Sequence, residues 1–468
     1  MRFIHTSDWH LGRTLHGESL AVAQQAFADH LVGLVKESGA AAVLVAGDVY
    51  DRAVPPPEAV ALLSETLRRL TELAHVVVIS GNHDSAVRLG FGAALMRPEL
   101  HVCTDMRRAG RPVVIPDPAG GPGLAVYPIP YLDPDVARVR LAPGGPGGGE
   151  DDAVAPEPLA RSHRAVLGEA IRRVRADIQR SGFGGPGAPP AVALAHAFVT
   201  GGRASDSERD IRVGGVDQAP SGLFGGVGYA ALGHLHGPQA VPYVAAQEEA
   251  CRDSWQSDPG LSSLVAVTGV SEQPSGSTSS RQTAKTLDNG PGLGMEDPDA
   301  EVGSGADPVL RYAGSPLAFS FSEEHQAKST AVVDIDQGGR VGVELAPAPV
   351  PRPLTTVRGA LDDLLGPAFE DVADHWVRAI VTDPVRPREM VQRLKARFPH
   401  ALVMLHEPAG TAGAEAPRAG RVQAERDPLE VGAEFVEYVT GAPPSDQEAV
   451  QLRAALESVL AGAAGREN

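Results

Sequence analysis

Along the first half of the chain, short unbroken apolar runs alternate with stretches of helical spacing. Phe3-Ile4-His5, residues 42–45 (AVLV), residues 75–79 (HVVVI) and residues 191–194 (AVAL) show no polar–apolar alternation. Runs of this kind predict strands covered on both faces. Between the first three, residues 18–37 and 57–73 repeat apolar side chains every three or four positions and predict helices. The second opens on Pro57, whose fixed φ and missing N–H suit a first helical turn. Residues 159–180 predict a third helix rich in arginine. A solvated face explains that arginine better than direct DNA contact does. Strand and helix alternating in this order predict an α/β fold.

Beyond residue 142 the pattern is interrupted three times. Residues 143–158 and 181–190 are Gly/Pro-rich connectors, and residues 243–308 are rich in Ser, Gly, Asp and Thr without sustained periodicity. A segment with so little to bury cannot offset the entropy of ordering, so the third is expected to be a mostly disordered insertion. Residues 309–350 are strand-rich, residues 354–407 read as a smaller α/β region, and an Ala/Gly-rich linker follows from 408 to 426. Two capping boxes, Asp427-Pro428-Leu429-Glu430 and Ser445-Asp446-Gln447-Glu448, then predict two terminal helices. Val431, Phe435, Val436 and Val439 fall on one stripe of the first, and Ala449, Leu452, Leu456 and Val459 on one stripe of the second. The expected domains are therefore 1–350, 351–410 and 427–462.

Composition narrows the class. Hydrophobic residues make up 43% of 468 while aromatics are only 4%, so a core built mainly of Val, Leu and Ala is expected. Two cysteines, Cys103 and Cys251, form no disulfide framework. Met1 leads into a strand-like run instead of a basic-then-apolar leader, and no stretch reaches membrane-spanning length, so a cytoplasmic protein away from membranes is expected. The formal net charge of −18 disfavours tight binding to DNA phosphate. Residues 243–308 hold 11 acidic and 3 basic residues, which concentrates much of that charge in one segment. Divalent cations and a basic partner would offset the rest.

Five polar clusters each follow a strand-like run: Asp8-Trp9-His10, Gly47-Asp48-Val49-Tyr50-Asp51, Gly81-Asn82-His83-Asp84, His196, and Gly233-His234-Leu235-His236. Alone, each has a plain structural reading: a Gly-Asp turn, a polar Asn-His-Asp loop, a satisfied core histidine. Together, at the carboxyl ends of α/β strands, they can converge on one pocket. Two Asp, one Asn and several His form an oxygen and imidazole donor set that suits manganese, iron or zinc more than calcium. The donors are too many for one ion, and a shared carboxylate can bridge a pair.

The series D-x-H, G-D-x-x-D, G-N-H-D, H and G-H-x-H resembles the calcineurin-like metallophosphoesterase superfamily. Within it, MRFIHTSDWHLGRTLHG, VAGDVYDRAVPP, VISGNHDS, SERDIRVGG, YAALGHLHGPQ and YAGSPLAFSFSE resemble the SbcD-like nuclease subunits of bacterial SbcC–SbcD complexes. The resemblance runs to about Glu324. It implies a β-sandwich flanked by helices, a smaller α/β capping domain and C-terminal helices. It implies two divalent ions, Mn²⁺ by analogy, one held by Asp8, His10, Asp48 and His236 and the other by Asp48, Asn82, His196 and His234. His83 would be the catalytic histidine, oriented by Asp84. Double-stranded DNA ends and hairpins would be cut by exonuclease and endonuclease action. The partner would be an SbcC-like coiled-coil ATPase, docked on residues 427–462, in a heterotetramer built on a homodimer. The chain itself has no G-x-x-x-x-G-K-[ST] loop for ATP. Asp51 stands where some relatives have a second catalytic histidine and receives no role, and Ala195-His196 replaces their Gly-His. Two other readings share the residues: an enzyme for a phosphoester other than DNA, and a scaffold subunit with a vestigial site.

Overall fold

A computed structural model describes residues 1–117, 120–142, 157–185, 187–208, 218–245 and 307–408, with a few positions between 429 and 454. The chain divides into two compact units, Met1–Ile380 with Arg388–Leu405, and Val381–Pro387 with His406–Asn468.

The first unit opens with strand β1 (Arg2–Thr6), a hairpin of β2 (Thr14–Leu15) and β3 (Glu18–Ser19), and helix α1 (Ala21–Ser38). Then come β4 (Ala42–Val45), α2 (Pro57–Leu70), β5 (His75–Ile79), the short α3 (Ala86–Leu89) and β6 (Leu100–Cys103). The next group is β7 (Val113–Pro116), β8 (Pro122–Ile129), α4 (Pro134–Arg140), α5 (His163–Ser181), β9 (Ala191–His196), β10 (Tyr229–Gly233), β11 (Gln239–Val241) and β12 (Val309–Tyr312). Strands β13 (Ser329–Ile335) and β14 (Val341–Pro347) return to the start, and β15 (Leu354–Gly359), β16 (Trp376–Val381) and β17 (Ala401–His406) form a separate three-stranded sheet.

Two six-stranded sheets result, ordered β14-β13-β1-β4-β5-β6 and β11-β12-β10-β9-β8-β7. Their facing sides share Phe3, Leu44, Val77, Leu124, Val192, Tyr229 and Val333 in one apolar layer. The alternate residues Ile4, Val43, Val45 and Val78 lie in a second layer with Phe27 and Leu31 of α1 and Leu63 and Leu67 of α2. On the other side, Tyr127, Ala193 and Leu232 lie with Val166, Ile171 and Val174 of α5. Both faces of each central strand are covered, which is why the runs in the sequence contain no polar alternation. The predicted α/β sandwich flanked by helices is what forms.

The departures from expectation are local. Residues 18 and 19 belong to the hairpin rather than to the helix, because His16 and Gly17 both take positive φ (49° and 90°) in its two-residue turn. Strand β9 extends through His196, two residues past the apolar run. The arginines of α5 are tied to the protein: Arg172 and Arg173 pair with Glu169, Arg180 with Asp177, and Arg175 donates to the carbonyls of Leu223 and Gly225 at 2.8 Å each.

Residues 246–306, the bulk of the acidic insertion, lie outside the described residues, as do the connector 143–156, the linker 409–426, the whole first terminal stripe and Leu456 and Val459 of the second. The second terminal capping box is present: Ser445 Oγ and N donate to Glu448 Oε2 at 2.7 and 2.9 Å, and the Glu448 amide returns a 3.4 Å bond to Ser445 Oγ.

The two ends of the insertion stand side by side, because β11 and β12 are antiparallel neighbours with Val241 opposite Leu310. A deletion of residues 245–305 closed by a short turn is therefore expected to shift the melting temperature by no more than about 2 °C. Differential scanning calorimetry of the deletion checks this. A fall of roughly 10 °C or more would mean that the segment packs on the core.

Candidate metal centre

The parallel strands β1, β4 and β5 of one sheet and β9 and β10 of the other end at the same place. Asp8 and His10 follow β1, Asp48 follows β4, Asn82 to Asp84 follow β5, His196 closes β9, and His234 and His236 follow β10. Ligand groups gather at such strand ends. Asp8, His10, Asp48 and His234 all have positive φ (53°, 44°, 47° and 110°), four of six such non-glycine residues among those described. Strained backbone of this kind concentrates at functional sites, where the surrounding structure enforces it. Here the enforcement is a ladder of loop bonds: Asp8 N to Gly47 O, His10 N to Asp48 O and Leu11 N to Val49 O, at 2.9 to 3.0 Å.

Every expected ligand lies in one buried cup. His10 Nε2 and His236 Nε2 face each other at 3.1 Å. Asp48 Oδ2 lies 3.7 Å from His10 Nε2, 3.6 Å from His196 Nε2 and 4.0 Å from His83 Nε2. Asn82 Oδ1 lies 2.8 Å from His196 Nε2 and 3.2 Å from His234 Nδ1. Asp8 accepts the His234 amide at 3.1 Å. Three overlapping groups have donor atoms within 4.8 Å of one another: Asp8, His10 and His236; His10, Asp48 and His83; Asp8, Asp48 and His196. Asp48 thus stands between the two sets expected from the sequence. His83 also comes within reach of the first set.

The electrostatics suit a cation. Burial pushes His10 and His234 well below the ordinary imidazole range and His196 down to about 4, so all three are neutral, the form that ligates metal. Burial first, and Asp48 second, raise Asp8 well above the usual carboxylate range. A cup that penalises both carboxylate and imidazolium charge is balanced by dications bound to oxygen and neutral nitrogen donors. The donor set and its geometry therefore fit divalent metal.

Asp84 bonds to backbone on two loops. Its Oδ2 accepts the amides of Gly81 (2.9 Å) and Val49 (3.1 Å), and its Oδ1 accepts that of Tyr50 (2.9 Å). The carboxylate therefore ties the loop carrying Asp48 to the loop carrying Asn82 and His83. The His83 ring is held instead by the carbonyl of Asp51, which accepts from Nδ1 at 2.8 Å. These bonds give Asp84 a hold on the backbone around His83, while the Asp51 carbonyl holds the imidazole.

Asp51, given no role by its sequence, also sets its carboxylate 3.7 Å from His10 Nδ1 and 3.4 Å from Arg13. Its place three residues after Asp48 is the only signal the sequence offers. Other supports are equally silent. Gln24 donates to the His10 carbonyl at 2.8 Å and accepts the Gly12 amide at 3.1 Å. Phe319 sets its ring edge-on to both His10 and His236, with ring centres 5.2 and 5.4 Å apart. Ser207, Glu208 and Glu323 lie behind His236.

The glycine of Gly233-His234 has a steric cause. A Cβ there would collide with the carbonyl oxygen of Ala46, the atom that accepts His196 Nδ1–H at 2.8 Å. Backbone cannot yield as a flexible side chain can, so Gly233→Ala is expected to cost about 3 kcal/mol. Urea unfolding measures it, and an unchanged midpoint would contradict the packing described.

Residues 1–159 match the family described as calcineurin-like phosphoesterase. The chain is also similar to a solved structure, TT1561 of Thermus thermophilus, at 14% identity over 51% of this chain and 83% of that one, with a TM-score of 0.29. The family match, the α/β sandwich and the Asp/His clusters support a metal-dependent phosphoester hydrolase of the metallophosphoesterase superfamily. Among the described residues no helix is long and apolar enough to cross a membrane.

Proposed function

We propose that this chain is a Mn²⁺-dependent DNA nuclease, the SbcD-like subunit of an ATP-driven break-repair complex. The observation that carries the reading is Asp48, one buried carboxylate between His10, His83 and His196 with Asn82 and His234 beside them. The segments that distinguish SbcD-like chains from other phosphoesterases support the DNA substrate.

In this reading Asp8, His10, Asp48 and His236 would hold one ion and Asp48, Asn82, His196 and His234 the other. When bound, such a pair activates water for attack and stabilises charge on the attacking and leaving oxygens of a phosphodiester. His83, pinned through Nδ1 by Asp51, presents Nε2 toward the cup, where as an imidazolium it would give its Nε2 proton to the departing oxygen and be left neutral. Residues 351–410 would be the capping domain. Residues 427–462 would dock an SbcC-like coiled-coil ATPase, whose basic surface would compensate the net charge of −18. A homodimer would cover exposed apolar side chains such as Val87, Phe91 and Leu95, exposed at 85%, 85% and 90%. The setting would be cytoplasmic.

The test is hydrolysis of end-labelled duplex and hairpin DNA by purified protein with Mn²⁺, alone and with the ATPase subunit. Mn²⁺-dependent cleavage that is lost in Asp48→Asn supports the reading. Hydrolysis of a chromogenic phosphodiester with DNA left intact would move the substrate away from nucleic acid. No hydrolysis of either would favour a scaffold subunit.

A further inference from the structure

Behind His236 lies a charged network that the ligand set does not account for. His236 Nδ1 is 2.6 Å from Ser207 Oγ and 3.3 Å from Glu323 Oε1, and Ser207 Oγ donates to that same oxygen. Glu323 Oε2 accepts from Lys328 Nζ at 2.5 Å and from the Phe319 amide at 3.3 Å. Lys328 also donates to the carbonyl of His236 (2.9 Å), Ser315 Oγ (2.9 Å) and Gln326 Oε1 (2.8 Å). Glu323 is 1% exposed and Lys328 5%. The His236 amide is fixed as well, donating to Glu208 Oε1 at 2.7 Å.

A buried ion pair is weak evidence for stability, since desolvation can exceed the Coulomb gain and apolar replacements are often neutral or better. Its place against a ligand histidine suggests another purpose. With Nδ1–H directed at Ser207 and Glu323, the lone pair of His236 is confined to Nε2, the atom facing His10. A carboxylate behind a ligating imidazole fixes its tautomer and raises its basicity. The opposite histidine is supported differently: His196 Nδ1 donates to the neutral carbonyl of Ala46 at 2.8 Å. The two halves of the cup therefore differ in the charge that backs their histidines.

We infer that Glu323, held in place by Lys328, is the positioning carboxylate of His236 and selectively strengthens the ion site made with Asp8 and His10. This rests on the two-ion reading above. The experiment is titration of Mn²⁺ into metal-stripped wild type, Glu323→Gln and Glu323→Gln with Lys328→Met. Titration calorimetry follows affinity, and scanning calorimetry follows folding. The expected result is two ions in wild type, and in both variants a roughly 10- to 100-fold weaker affinity for one ion with the other unchanged. DNA cleavage by Glu323→Gln should return toward the wild-type rate as Mn²⁺ is raised. The double variant removes both charges together, so it gives the same readout if the single variant fails to fold. Wild-type affinity in the double variant would overturn the inference, because the carboxylate would then serve only to neutralise Lys328. Equal weakening of both ions with a lowered melting temperature would overturn it too, by showing a general structural role. Wild-type protein that binds two ions yet cuts no DNA would remove the nuclease reading and leave this inference standing.

Discussion

Asp48→Asn is expected to release or loosen both ions together and to reduce hydrolysis to background, whereas His83→Ala keeps its metal and loses only turnover. The asymmetry follows from how Asp48 is held. Its Oδ1 accepts the His83 amide at 2.8 Å, and its Oδ2 faces His10, His196 and His83 at 3.6 to 4.0 Å. An asparagine must keep its carbonyl toward the His83 amide, which turns its NH₂ into the space where the ions need a negative oxygen. His83 is anchored by Asp51 and, in this account, contributes only proton transfer, an effect of about 10²- to 10⁴-fold. Elemental analysis of both proteins after dialysis, with hydrolysis rates alongside, decides the matter. Metal loss in His83→Ala equal to that in Asp48→Asn would make His83 a ligand, as its distance to the first donor group permits.

Asp84→Asn carries the second large effect, and the expected loss is of structure. One carboxylate oxygen serves Tyr50, and the other serves Val49 and Gly81 together. An amide offers one acceptor and one donor, so either orientation sets an NH₂ against backbone N–H groups. Burial first, then Asp48, pushes the Asp84 carboxyl up to about 6, which leaves it ionised at neutral pH and its hydrogen bonds charge-assisted. Such bonds contribute about 1.5–3 kcal/mol each, so the variant should lose about 3–5 kcal/mol and bind metal poorly. Chemical denaturation measures the first and metal titration the second. Wild-type stability with reduced turnover would instead return Asp84 to a direct part in catalysis.

The central strands are legible because burial on both faces leaves no polar residue to blur them, as residues 42–45 and 75–79 illustrate. The ligands are legible for a related reason: each sits at the end of a strand or within four residues beyond it, so topology gathers them. What supports the ligands is not. Glu323 is 87 residues from His236, and nothing local in either segment announces the contact. Asp84 reads as a partner of its neighbour His83, yet its bonds cross to residues 49 and 50 on another loop. The hairpin at residues 14–19 blends into α1 in the sequence because two strands of two residues each have no periodicity to detect. Strands β6 to β8 are harder to read because β6 and β7 are only four residues long and Pro and Gly break into β7 and β8, leaving pairing to define them.

The central claim is that one carboxylate, Asp48, serves two metal ions. Anomalous diffraction from crystals soaked in Mn²⁺ tests it directly. The account predicts two peaks roughly 3.5–4 Å apart, one beside His10 and His236, the other beside Asn82, His196 and His234, with Asp48 bound to both. A single peak, or two peaks that do not share Asp48, would contradict it.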